Sequence, residues 1–124
     1  MKFGLFGGAM QKRGETADST GYDQFVEYVI AADRLGFESI FIVEHHFSGI
    51  GQVSASLNLH CFLAAKTERI RLGTAVMVLP WHNPILLAEQ AATLDMVSGG
   101  RLDFGIGRGY RDIEFKGFCI PKEE

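Results

Sequence analysis

Short apolar runs alternate along this chain with longer stretches in which apolar residues recur with a helical period. The runs lie at residues 2–6, 39–43, 70–79 and 102–106, and the periodic stretches at 22–36, 58–65 and 85–97. Runs of β-branched and aromatic residues bounded by glycine or proline are typical of buried strands, whereas apolar residues three to four positions apart predict helices. We therefore expect the order β-loop-α-β-loop-α-β-α-β, with loops at 7–21 and 49–51.

The alternation of strands and helices predicts a parallel sheet, because a helix that joins parallel neighbours makes a right-handed crossover. Four parallel strands with crossover helices place the chain in the α/β class. We expect either a small independent open sheet or the N-terminal half of a (β/α)8 TIM barrel, which needs about 250 residues. We expect residues 1–124 to form a single half-barrel domain, either part of a larger barrel or completed by a partner chain. Without such a complement, its first and fourth strands would be exposed apolar edges.

The composition excludes several classes of function. The chain has 124 residues, of which 47% are hydrophobic and 22% charged, with a net charge of -3. It has no cluster of lysine and arginine, so we expect no nucleic-acid partner. No apolar stretch suits a signal peptide or a membrane span, so we expect a cytoplasmic protein without membrane contact. Cys61 lies in an apolar stretch and is expected to be buried, and neither cysteine is assigned to a disulfide or to catalysis.

Polar side chains follow the second predicted strand directly. Glu44, His45 and His46 come after the run at 39–43, and the carboxyl ends of parallel strands form the edge where ligands bind. Adjacent side chains of an extended segment point to opposite sides, so the two histidines make a poor chelate and no metal site is predicted. One imidazole that faces a pocket is the functional interpretation, and a solvated or packed histidine is the alternative.

Further short motifs occur in a characteristic order and spacing. They are Lys2-Phe3-Gly4, Gly36-Phe37-Glu38, Glu44-His45-His46-Phe47, Arg71-Leu72-Gly73-Thr74-Ala75, Val78-Leu79-Pro80, Leu87-Ala88-Glu89 and residues 98–109. With these motifs the chain resembles the N-terminal half of the bacterial-luciferase-like flavin-dependent monooxygenases over nearly its whole length. Each motif alone is weak, and the specificity comes from their joint order and spacing.

The resemblance implies a barrel that binds reduced FMN at its C-terminal mouth and uses dioxygen to oxidise a small organic substrate, with the deazaflavin F420 as the alternative cofactor. His45 matches the family's active-site histidine, and an imidazole suits proton transfer near neutral pH. The segment at 73–76 matches one that commonly holds a non-proline cis peptide under the flavin, which would fall between Ala75 and Val76.

The resemblance also implies a phosphate site at the end of the fourth strand. Arg108 matches an arginine directed at the flavin phosphate, and Gly107 and Gly109 would let the backbone approach the ligand. Gly107 takes the place of a reactive cysteine in the luciferase catalytic subunit, so thiol chemistry is not expected. His82 lies beside a family histidine whose position holds Asn83 here, and contact with ligand and a plain loop position both stay open.

Two alternatives to the monooxygenase remain open. One is a truncated, non-catalytic flavin-binding or structural half-barrel that dimerises through its open edges, and the other is an F420-dependent oxidoreductase that transfers hydride. Glu89 lies on the helix that relatives use at a subunit interface, so a homo-oligomer is expected, with a solvated carboxylate as the alternative interpretation. His60, in an apolar helix, is expected to be packed rather than to bind ligand.

Overall fold

The computed structural model describes residues 1–10, 19–48 and 53–122. The strands are β1 (Gly4–Gly7), β2 (Ser39–Ile42), β3 (Arg71–Thr74), β4 (Met77–Val78), β5 (Leu102–Asp103) and β6 (Ile106–Gly107). The α-helices are α1 (Thr20–Leu35), α2 (Ser56–Lys66), α3 (Pro84–Val97) and α4 (Asp112–Gly117), and a 3-10 helix covers Leu79–Trp81. Residues 11–18 and 49–52, in two of the predicted loops, lie outside the described part of the chain.

All strand pairs are parallel, as the alternation of strands and helices predicts. One sheet has the order β1-β2-β3-β5, and β4 pairs with β6 in a two-stranded extension. Phe6, Phe41, Gly73 and Asp103 are partners across the four strands, so their positions share one face of the sheet. The core lies between the opposite face of the sheet and the helices. Its largest fully buried apolar residues include Ile40, Ile42, Leu63, Ile70, Leu72, Leu94 and Val29.

The prediction of continuous third and fourth strands is wrong, because each of the two runs forms two short strands. The run at 70–79 is divided into β3 and β4, with Ala75 and Val76 between them, and the peptide bond that joins these two residues is cis. The run at 102–106 is divided into β5 and β6. There the Thr74 hydroxyl donates to the Gly105 carbonyl at 2.7 Å and accepts from its N–H at 2.8 Å, so side-chain bonds replace part of the ladder.

The helix ends follow their local signals. Gly36 ends α1 in the left-handed conformation with φ 84°, which glycine adopts without steric cost. Asn83 caps α3 by accepting from the N–H groups of Ile85 and Leu86, and Pro84 occupies the first turn. Helix α4 is absent from the sequence prediction. Cys61 is exposed rather than buried, because α2 turns the other side, with Leu59 and Leu63, to the core. No helix in the described part of the chain is long and apolar enough to cross a membrane.

Asp33 ties α1 to the start of β3. Its carboxylate, buried at 7% exposure, accepts from the N–H groups of Glu68, Arg69 and Ile70 at 3.0, 3.0 and 2.6 Å. Burial raises the pKa of Asp33, but these three donors and the charge of Arg69 outweigh it, so the pKa lies below its ordinary value. The ionised form is therefore part of the folded state.

We expect Asp33→Ala to lower the free energy of unfolding by about 2–3 kcal/mol, because the N–H of buried Ile70 and those of Glu68 and Arg69 lose their shared acceptor. Because the folded pKa is lowered, the stabilisation by ionised Asp33 is complete above the unfolded pKa of about 4 and is lost as pH falls through the folded pKa. Urea unfolding at pH 7 and at pH 3 measures both effects. Asp23→Ala, an exposed carboxylate of α1, is the control with a cost below about 1 kcal/mol. Equal losses in the two variants would contradict this role of Asp33.

Candidate functional site

A cavity of about 330 Å³ opens at the carboxyl ends of the strands. Such a volume is within the range of small-molecule sites. Its lining combines apolar walls with a few polar groups: Phe6, Val43, Glu44, His45, Ala75, Val76, Val78, Trp81, Gly107, Arg108, Gly109, Tyr110 and Glu114. Every site residue predicted from the sequence, namely His45, Ala75, Val76, Gly107, Arg108 and Gly109, therefore lines this one cavity.

His45 is oriented by a carboxylate from α4. Its Nδ1 lies 3.0 Å from Glu114 Oε1, and the same oxygen accepts the N–H of His46 at 2.8 Å. Glu114 is buried at 1% exposure, and Arg111 lies 3.8 Å from the same oxygen. Because a carboxylate accepts hydrogen bonds, Nδ1 of His45 carries a hydrogen and donates it to Glu114. Glu114 thus fixes the orientation of the His45 ring, and Nε2 is the nitrogen that this contact leaves uncovered.

A second buried carboxylate, Glu44, joins the end of β2 to the segment after β3. Its Oε2 accepts the N–H of Val78 at 2.7 Å. Its Oε1 accepts from Nε2 of His82 at 2.7 Å and from Nε2 of His46 at 3.1 Å. The sequence left open whether His82 contacts ligand or occupies a plain loop position. In the structure its Nε2 donates to Glu44.

Aromatic rings pack behind this pair of histidines. The Trp81 ring stacks on Phe118 with centroids 5.5 Å apart, and the edges of His46 and Phe115 meet it at 5.3 and 5.8 Å. The Trp81 indole N–H is buried without an acceptor among the described residues. Since Trp81 is the single tryptophan of the chain and lines the cavity, its fluorescence reports on occupancy of the cavity.

The wall formed by Ala75 and Val76 is fixed by backbone bonds on both sides. The cis peptide lies between these residues, where the family resemblance implies one. The Ala75 N–H donates to the Ile42 carbonyl at 2.8 Å, and the Met77 N–H donates to the Gly105 carbonyl at 2.9 Å. The segment therefore stands between the ends of β2 and β5, beside His45.

The glycines around Arg108 leave no room for side chains. A Cβ atom at Gly107 would lie 2.6 Å from Val76 Cγ2, and one at Gly109 would lie 2.6 Å from Val78 Cγ1. Gly109 also has φ 80°, which disfavours other residues. The backbone can thus approach the cavity wall closely while Arg108, an exposed residue, presents a cation at the cavity.

These residues fit a flavin. Apolar side chains such as Val76 and Val78 can contact an isoalloxazine ring, and Arg108 between two close-packed glycines offers the charge that a phosphate group requires. His45 adds a titratable nitrogen in the same cavity. Across residues 1–10, 19–48 and 53–122, no group of three or more His, Cys, Asp and Glu side chains could hold a metal ion.

The sequence prediction missed Glu114, Trp81 and Tyr110 as cavity residues. The local signal for α4 is weak, since the helix has six residues and Phe115 is its one buried apolar side chain. Nothing in that segment indicates that Glu114 meets His45, which lies 69 positions away. His60 is fully buried, as expected. Glu89 is exposed on α3.

Comparison with known proteins gives a match to the sequence model described as luciferase-like monooxygenase over residues 1–124. The oxygenase component of the flavin-dependent trigonelline monooxygenase of Acinetobacter baylyi is 36% identical over 116 residues, which are 94% of this chain and 32% of that protein. The chain spans about a third of the length of the curated relatives it matches.

Two solved structures share the fold. Monooxygenase RslO1 from Streptomyces bottropensis superposes with a TM-score of 0.88 at 33% identity, covering 98% of this chain and 37% of that one. The oxygenating constituent of 3,6-diketocamphane monooxygenase from Pseudomonas putida, solved in complex with FMN, gives a TM-score of 0.88 at 24% identity, covering 95% and 32% of the two chains. The described strands and helices thus correspond to part of a luciferase-like TIM barrel.

We expect Glu114→Ala to lower the free energy of unfolding by about 2–4 kcal/mol, because the N–H of His46 and Nδ1 of His45 lose their shared buried acceptor. Urea unfolding followed by circular dichroism measures the change. Glu27→Ala, an exposed carboxylate of α1, is the matched control and is expected to change the same quantity by less than about 0.5 kcal/mol. A Glu114→Ala variant as stable as the control would contradict the role of this carboxylate.

Proposed function

Because this chain belongs to the luciferase-like monooxygenase family, we propose that it supplies the flavin site of an oxidoreductase that uses reduced FMN and dioxygen to oxidise a small organic substrate. The observation that carries the proposal is the cavity in which His45, Arg108 and the Ala75–Val76 wall meet. A proton-transfer group, a phosphate-binding cation and an apolar wall are what flavin-dependent oxygenation requires of a protein.

Each group has a separate task in this proposal. FMN, when bound in its reduced form, supplies the electrons that activate dioxygen. Arg108 binds the phosphate through charge-assisted hydrogen bonds, and the Ala75–Val76 wall orients the ring system. His45 accepts and returns a proton at Nε2, while Glu114 holds Nδ1 and fixes the ring orientation. Val43, Val76 and Val78 exclude water from one side of the cavity.

The domain organisation is part of the proposal. On the cavity side of the sheet, Phe6 is 71% exposed, which is unusual for a large apolar side chain in a barrel interior. We infer that residues 1–124 form one (β/α) unit whose open face is covered either by further strands of a larger barrel or by a second copy of the chain. Three further expectations from the sequence stay proposals: a homo-oligomer, a cytoplasmic location, and the absence of a nucleic-acid or membrane partner.

We expect the purified chain to bind FMN and reduced FMN with saturable quenching of Trp81 fluorescence. Arg108→Ala should weaken FMN binding at least tenfold, or about 1.4 kcal/mol, because a charge-assisted pair is lost. Riboflavin, which lacks the phosphate, should bind the parent chain and Arg108→Ala about equally. Arg34→Ala, which removes an exposed charge from the last turn of α1, should bind FMN like the parent chain.

The outcomes of this titration separate the candidates. Preference for F420 over FMN would replace the monooxygenase by a hydride-transfer oxidoreductase. Absence of flavin binding by the folded chain, with a dimer in native mass spectrometry, would favour the structural half-barrel. Equal sensitivity of FMN and riboflavin to Arg108→Ala would remove Arg108 from the phosphate site.

We expect His45→Gln to bind FMN within about threefold of the parent chain but to lower oxygen transfer at least a hundredfold, in keeping with the usual contribution of general acid–base catalysis. The measurement is incorporation of ¹⁸O from labelled dioxygen into a panel of small aldehydes, alkanes and sulfonates, with chemically reduced FMN and analysis by mass spectrometry. Flavin binding without any transfer by the parent chain would favour the non-catalytic flavin-binding alternative. Undiminished transfer by the variant would remove His45 from the reaction.

A further inference from the structure

His60 is a fully buried histidine that the proposed chemistry does not use. It lies in α2, with 0% exposure, on the side of the helix that faces the core. Burial lowers the pKa of His60, and hydrogen bonds to two carbonyl groups oppose that effect without cancelling it. A buried imidazole is costly in an apolar helix unless its nitrogens find partners. The identity of those partners therefore indicates what the residue does.

Both partners are carbonyl oxygens, which only accept hydrogen bonds. Because burial lowers the pKa of His60, the neutral ring is favoured, and its single N–H donates to one of the two oxygens. Nδ1 lies 2.7 Å from the Ser56 carbonyl, within α2 itself. Nε2 lies 3.0 Å from the Gly73 carbonyl in β3. The second contact joins the helix to the sheet two residues before Ala75, which lines the cavity.

Helix α2 also contacts the chain after the cavity wall. The Ser56 hydroxyl, on the same helix as His60, donates to the Met77 sulfur at 3.1 Å. Gly73 and Met77 flank residues 74–76. His60 and Ser56, both on α2, therefore contact the two ends of this segment from the helix-facing side of the sheet. On the other face of the sheet a Cβ at Gly73 would overlap the Phe41 ring, so this ring packs directly against the Gly73 backbone.

We propose that His60 is a positioning residue for the cofactor cavity, which donates from Nε2 to the Gly73 carbonyl and so sets the place of the Ala75–Val76 wall. The inference rests on the proposed function, because the wall matters only if a planar ligand packs against it. His60 itself does not line the cavity, so its effect on a ligand passes through the backbone of residues 73–76.

Three variants of His60 separate positioning from packing. His60→Phe keeps an aromatic ring and removes both nitrogens, and with them the hydrogen bond to the Gly73 carbonyl. His60→Gln places an amide N–H near the position of Nε2, and His60→Asn places one near Nδ1. Leu63→Val, a fully buried position on the same helix, is the control that lowers stability without removing a hydrogen bond. The FMN dissociation constant, read from Trp81 fluorescence well below the melting temperature, and amide hydrogen exchange at Met77 are measured for all four.

The expected result is a tenfold or greater increase in the FMN dissociation constant for His60→Phe and His60→Asn, with Met77 exchange at least tenfold faster. His60→Gln should stay within threefold of the parent chain in both quantities. Leu63→Val should lower the melting temperature and leave the dissociation constant within threefold. Rescue by Asn rather than Gln, or weakening by Leu63→Val equal to that by His60→Phe, would overturn the proposal.

The exchange measurement keeps this proposal separate from the proposed function. If the parent chain binds no flavin, the proposed function fails, and His60 is then judged by Met77 exchange alone. Faster exchange in His60→Phe with rescue by His60→Gln would still support positioning of the 73–77 segment. Unchanged exchange in His60→Phe would overturn it.

Discussion

The cavity depends on the burial of two carboxylates, Glu44 and Glu114, each of which needs hydrogen-bond donors from distant parts of the chain. Glu44 receives the N–H of Val78 and the imidazoles of His46 and His82. Glu114 receives the N–H of His46 and Nδ1 of His45. A buried carboxylate without donors costs several kcal/mol, so neither side chain is stable unless β2, β4 and α4 meet at one place. The same contacts that stabilise this end of the fold also orient its histidines.

The breaks in two strands serve the same region. A continuous third strand would carry the chain past the cavity, whereas the division between β3 and β4 presents Ala75 and Val76 to it. Thr74 allows this arrangement, because its hydroxyl bonds both polar groups of the Gly105 backbone where the β3–β5 ladder stops. The polar groups of the Gly105 backbone thus keep hydrogen-bond partners where regular pairing ends. The wall of the cavity is irregular in shape, and the N–H groups of Ala75 and Met77 hold its two ends by hydrogen bonds.

The two faces of the sheet differ in how much apolar surface they leave exposed to a partner. The helix-facing side is closed by α1, α2 and α3 around buried aliphatic residues. The other side carries Phe6 and Phe41 at one level of the register, with Phe6 exposed. Exposed aromatic side chains at the mouth of a cavity favour association with further apolar surface. A complement on this face would also enclose the candidate flavin site and exclude water from it.

The order of strands and helices, the parallel sheet and the position of His45 at a strand end follow from the sequence, because hydrophobic period and turn residues are local properties. The family motifs in addition predicted the cis peptide between Ala75 and Val76 and the position of Arg108 at the cavity. Tertiary structure alone decided that the third and fourth strands break, that Cys61 is exposed, that His82 meets Glu44, and that Glu114 orients His45. The reason is physical: the partner of a buried polar group is chosen by which distant segments pack together, and a pattern that extends over four or five residues carries no information about that choice.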